Sequence, residues 1–149
     1  MKPENIKDLL DACFVAKKIT ETMADLPVGM KPRHIHVIDA VHELEQQEKN
    51  VRVSDVSKKL NITAPSVTKL IKELLEMGLI TKTGDSHDKR SITLQLTEKG
   101  RQYEKQYVTD YHYSWAINAS EITEAQAEAA ITVIHTLYEA MPKAGDHDE

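Results

Sequence analysis

The sequence predicts a mainly α fold with one small β-hairpin. Three observations carry that prediction. Apolar residues recur at three- and four-residue intervals through six separate segments, the spacing of one helix face. The interval drops to two only once, where Ile92, Leu94 and Leu96 alternate with Ser91, Thr93 and Gln95. Pro, Gly or a capping Thr stands at most of the segment boundaries.

The first helix is predicted from Glu4 to about Leu26, with Ile6, Leu9, Leu10, Cys13, Phe14, Ile19, Met23 and Leu26 as its apolar residues, and Pro27, Gly29 and Pro32 breaking it. A second runs from Pro32 to Gln46 on Val37, Ile38, Val41 and Leu44; Pro suits the first turn, where its missing N–H is no loss. A short helix, Ser54 to Leu60, is followed by a turn at Asn61 and Ile62. Thr63 then caps a helix from Ala64 to about Met77, whose stripe is Val67, Leu70, Ile71, Leu74 and Leu75 and which Gly78 ends. Leu79 to Thr83 forms one strand and the Ile92–Leu96 alternation the other, joined by the charged loop Gly84 to Arg90. Thr97 caps a helix to about Asn118 that sets Tyr103, Tyr107, Tyr111 and Trp115 four apart on one face. Thr123 opens the last, with Thr123 and Gln126 spaced as a capping box, and its stripe is Ala127, Ala130, Ile131, Ile134, Leu137 and Tyr138. The tail, 142–149, is acidic.

Composition narrows the function classes. With 40% apolar and 29% charged residues, the 149-residue chain has the makings of a packed core without metal or disulfide staples. No apolar run is long enough for a membrane helix, and the N-terminus lacks the pattern of an export signal, so neither a membrane partner nor secretion is expected. A single cysteine, Cys13, excludes an internal disulfide and fits a cytoplasmic setting. The net charge of −5 is unevenly spread: residues 49–107 carry +5, residues 1–48 carry −3 and residues 108–149 carry −7. A basic centre between acidic ends fits a nucleic-acid-reading part flanked by an assembly part.

The order short helix, turn, amphipathic helix, strand, basic loop, strand is a helix-turn-helix followed by a wing. A helix fits the major groove of B-DNA, and a basic loop beside it reaches phosphates or the minor groove. Outside the apolar stripe, the Ala64–Met77 helix carries Ser66, Thr68, Lys69 and Lys72 toward its start and Glu73 and Glu76 toward its end. Ser66 and Thr68 are candidates for bases or phosphates, and Lys69 and Lys72 for phosphate or guanine. Lys31 and Arg33 are weaker phosphate candidates. No glycine-rich phosphate loop, G-x-S-x-G, H-E-x-x-H or C-x-x-C is present, so no catalytic activity is expected.

Residues 52–100, RVSDVSKKLNITAPSVTKLIKELLEMGLITKTGDSHDKRSITLQLTEKG, resemble the MarR family of bacterial regulators. The matching features are the Ser-acid-aliphatic segment, the polar recognition helix, the Gly-Leu-Ile strand start, a D-x-x-D-[KR]-R wing and L-T-x-K-G. The resemblance implies one MarR-like unit over 1–149: a winged helix-turn-helix at about 32–100, a helical dimerisation region at about 4–26 and 101–141, and the tail. It implies a homodimer on a pseudo-palindromic duplex, acting as a repressor and released by a small organic effector. In the wing it implies that Arg90 enters the minor groove, that Asp88 orients its guanidinium, and that Lys89 contacts the backbone. Zinc- and thiol-responsive variants of the fold, and a winged helix serving only protein contacts, stand as alternatives. His36, His42 and His112 are the metal candidates, but the two-histidine spacing of zinc-sensing members is absent after His112 and no metal site is expected. Cys13 lies on the apolar stripe and is expected to be buried and inert.

Overall fold

A computed structural model describes residues 1–47, 50–84, 87–88 and 90–142. The elements in order are α1 (Pro3–Glu21), α2 (Pro32–Gln46), α3 (Val53–Leu60), α4 (Ala64–Glu76), β1 (Ile80–Thr83), β2 (Thr93–Leu96), α5 (Glu98–Glu104), α6 (Asp110–Asn118) and α7 (Glu124–Glu139), with a π-helical turn at Lys105–Thr109 between α5 and α6. The chain divides into two compact units, Met1–Tyr111 and His112–Glu149.

In the first unit α2 is the central element. Its Val37, Ile38 and Val41 are fully buried, together with Val56 of α3, Val67, Ile71 and Leu74 of α4, and Leu79, Ile80 and Leu94 around the hairpin. Each such side chain contributes roughly 1.5–3 kcal/mol by leaving water. The turn between α3 and α4 is set by Asn61, which takes the left-handed conformation (φ +52°), and by Ser57 Oγ, which donates to the Ile62 carbonyl at 2.6 Å. Thr63 Oγ1 then accepts the Ser66 N–H, the cap expected there. Gly78, at φ +72°, closes α4.

Strands β1 and β2 are antiparallel, pairing Ile80 with Leu96, Thr81 with Gln95, Lys82 with Leu94 and Thr83 with Thr93. The hairpin is fastened to the helices at several points. The Leu94 N–H donates to the Val51 carbonyl at 2.8 Å, and the Leu96 N–H to Glu45 Oε1 of α2 at 2.9 Å. Thr97 caps α5 through the Gly100 N–H, and its hydroxyl donates to the Gly78 carbonyl at 2.7 Å. A Cβ on Gly100 would stand 2.1 Å from the Leu79 carbonyl oxygen, so the close seating of α5 there requires glycine.

Two expectations are corrected. Helix α1 ends at Glu21 rather than near Leu26, because Thr22 is extended and Asp25 adopts φ +61°, outside helical geometry; Met23 and Leu26 reach the core from a turn instead. The predicted helix from Glu98 to Asn118 contains the π turn. There the hydroxyl of Thr109 donates to the buried Glu104, and Lys105 pairs with Asp110, both across five residues, the repeat of a π turn. A four-residue spacing does not keep one face across such a turn. Tyr103 and Tyr107 pack edge-to-face at 5.5 Å against the core, whereas Trp115 is exposed.

Helix α1 buries no residue within the chain. Leu10, Phe14 and Val15 are all more than half exposed, and Cys13 is half-buried beside an open groove of about 630 Å³ lined also by Ile6, Leu10 and Phe14. Cys13 is thus half-buried among the described residues, short of the full burial expected of it. In the second unit α7 starts at the Thr123–Gln126 capping box, buries nothing, and leaves Ile131, Ile134 and Tyr138 more than half exposed. No helix among the described residues is long and apolar enough to cross a membrane.

Candidate nucleic-acid interface

Helix α4 is strongly two-sided. Val67, Leu70, Ile71 and Leu74 are buried, while Thr68, Lys69, Lys72 and Glu76 are exposed on the outer face. Pro65 at the start of the helix removes one amide that would lack a partner, and the Thr63 cap satisfies another. Ser66 is half-buried, and its hydroxyl shares a 2.8 Å hydrogen bond with that of Thr63, so it belongs to the cap as well as to the surface. The Thr68 hydroxyl donates to the Ala64 carbonyl at 2.9 Å, which leaves its oxygen lone pairs and its methyl group facing out.

The wing begins beyond Thr83, whose hydroxyl meets that of Thr93 at 2.6 Å. Gly84 sits at φ +123°, and a Cβ there would lie 2.4 Å from the Ser91 carbonyl oxygen, so the two strands approach too closely for any other residue. Asp88 and Arg90 are exposed. The bond between them runs from the Arg90 backbone N–H to Asp88 Oδ1 at 2.9 Å, and the Asp88 carbonyl accepts from both the N–H and the hydroxyl of Ser91. Asp88 thus shapes the turn that presents Arg90, where the resemblance implied a grip on the guanidinium. Lys89 lies outside the described residues.

Glu73 is the residue whose role sequence reasoning missed. It was grouped with Glu76 as the acidic end of α4, but its Oε2 lies 2.5 Å from Nε2 of His34, a side chain only 1% exposed in the first turn of α2. That hydrogen bond is the main cause holding the Glu73 carboxyl below its ordinary value; partial burial opposes it, and the charges of His34, Lys31 and Lys69 add smaller lowering contributions. Lys31 therefore stands within electrostatic reach of α4. Arg33 pairs instead with Glu21 at 3.6 Å.

Each histidine candidate has its own surroundings. The ring of His36 is bonded through Nε2 to the Thr20 carbonyl at 2.6 Å. His42 is half-buried with Nδ1 enclosed, and His112 is an exposed residue of the second unit. Among the described residues no three His, Cys, Asp or Glu side chains form a metal-holding group.

This geometry agrees with what the chain is similar to. Residues 30–100 match the family of winged helix DNA-binding domains, the class that the helix, turn, helix and hairpin define. A solved MarR/EmrR family transcriptional regulator from Acinetobacter sp. ADP1 superposes with a TM-score of 0.72 at 19% identity, covering 91% of this chain and 94% of that one. The DNA complex of Streptococcus pneumoniae FabT superposes with a TM-score of 0.65 at 22% identity, covering 93% and 96%. Residues 30–100 thus match a winged helix DNA-binding domain, and the chain has the fold of the MarR-type structures on which it superposes. In sequence it is 37% identical over 54 residues to the transcriptional regulator AdcR of Streptococcus pneumoniae serotype 2, a stretch that covers 36% of this chain and 37% of that protein's length.

Proposed function

We propose that the chain is a sequence-specific regulator of transcription that binds double-stranded DNA as a homodimer in the cytoplasm and catalyses no reaction. The observation that carries this reading is the exposed face of α4: Thr68, Lys69 and Lys72 stand opposite a fully buried stripe, on a helix whose start is open to solvent and whose neighbour is a hairpin bearing Arg90. Lys69 and Lys72 contact phosphate or guanine. Thr68, with its proton committed to Ala64, offers an acceptor to the amino groups of adenine or cytosine and a methyl group to thymine. Ser66 serves the phosphate nearest the cap. Arg90 reaches into the minor groove, Lys89 contacts the DNA backbone, and Asp88 positions Arg90 through its backbone N–H.

The uncovered apolar faces of α1 and α7 support the dimer, since isolated chains rarely leave such stripes in water. The region from about 4 to 26 and from 101 to 141 assembles the pair, and the region from 32 to 100 reads the duplex. Two-fold symmetry then requires a pseudo-palindromic site. Repression relieved by a small organic effector follows from the family resemblance. The test is selection of bound duplexes from a random pool, followed by gel-shift titration. A pseudo-palindromic consensus is expected; recovery of unrelated sequences refutes the reading.

A further inference from the structure

We propose that Glu73, held by His34, is a positioning residue that fixes the rotation of α4 on α2 and thereby sets discrimination between DNA sequences. This rests on the DNA-binding reading above. The Lys31 N–H donates to Nδ1 of His34 at 2.9 Å, so that nitrogen carries no proton and the ring's hydrogen is on Nε2. Nε2 is aimed at Glu73, and the resulting bond joins the first turn of α2 to the last turn of α4 across 39 residues of sequence. Apolar contact resists separation of two helices but is non-directional. A short bond to an ionised acceptor fixes one rotation. Glu73 lies one turn after Lys69 and next to Lys72, so the rotation it fixes is that of the side chains assigned to the groove.

The electrostatics separate this role from one in affinity. An acid near Lys31 and Lys69 opposes attraction to phosphate, so its removal strengthens sequence-independent binding. Its loss also frees the helix to rotate, which weakens binding to the preferred sequence. A residue that only stabilised the fold would move both affinities the same way.

The experiment uses the full-length chain and two duplexes of equal length: the one wild type selects most strongly from a random pool, and a shuffled version. For Glu73→Ala the shuffled duplex is expected to bind more tightly and the selected one more weakly, lowering their ratio by about tenfold or more. His34→Asn keeps an acceptor for the Lys31 N–H but cannot reach Glu73, and should lower the ratio likewise. His34→Gln keeps a donor toward Glu73 and should restore it. Glu73→Gln still accepts from Nε2, and should keep most of the ratio while tightening both duplexes. An unchanged ratio in Glu73→Ala and His34→Asn overturns the proposal. So does a parallel loss on both duplexes, or a His34→Gln chain as indiscriminate as His34→Asn. If wild type itself selects no sequence, the fault lies in the regulator reading.

Discussion

The cations assigned to the interface fix the salt dependence of binding. Lys69 and Lys72 on α4, with Lys89 and Arg90 in the wing, make four per protomer and eight per dimer. If each neutralises one phosphate, the logarithm of the association constant falls against the logarithm of salt concentration with a slope of about −7. Between about 50 and 200 mM salt the affinity then drops roughly 10⁴-fold. Lys72→Ala removes two of the eight contacts in a dimer. Its side chain is exposed and outside the core, so stability should be unaffected while the slope becomes shallower by about 2. Arg90→Ala should change the slope by a similar amount and also weaken binding at fixed salt, by about 1–3 kcal/mol, if the guanidinium reads the minor groove. Fluorescence anisotropy on one labelled duplex over that salt range measures both quantities. A wild-type slope near zero, or a slope that Lys72→Ala leaves untouched, would show that this helix face does not meet phosphate.

Three further outcomes follow from the same structure. Gly100→Ala places a methyl group 2.1 Å from the Leu79 carbonyl oxygen, so a loss of roughly 1–3 kcal/mol is expected in urea denaturation, and a neutral substitution would contradict the seating of α5. Light scattering should give a mass twice the 16.8 kDa of the chain, and Ile134→Glu, on the uncovered face of α7, should shift it toward monomer; a wild-type monomer at micromolar concentration would refute the dimer. Because the Glu73 carboxyl titrates below its ordinary value near 4.5, its stabilising effect is present above that value and fades as pH falls through the lower, folded-state value. The stability gap between wild type and Glu73→Gln should therefore narrow on acidification below about pH 4.5, and a gap constant from neutral to acid pH would show that the carboxylate does not act through its charge.

The features legible in the sequence were those encoded by neighbours. Thr63, Thr97 and Thr123 cap helices as their spacing indicated, and the buried faces of α2 and α4 follow the apolar periodicity. What escaped depended on groups far apart or on backbone choices that many residues permit. Asp25 takes a left-handed turn that ends α1 early, although Met23 and Leu26 continue the apolar pattern. The π turn at Lys105–Thr109 is stapled by side chains five apart, a spacing that reads as ordinary helical surface. The His34–Glu73 bond joins positions that share no local pattern, and charge order alone groups Glu73 with Glu76 toward the end of the helix. In the wing, Asp88 was recognised by position but bonds to a backbone amide.

The hairpin is tied to Val51, Glu45, Leu79 and Gly78 by bonds from Leu94, Leu96 and Thr97, and only three residues separate α4 from β1. Helix α4, the helix assigned to the groove, and the base of its wing are thus mechanically one piece, like the palm and thumb of a rigid glove. A signal that switched such a molecule would have little to gain by bending either part. It would work by changing how far apart the two gloves of a dimer are held.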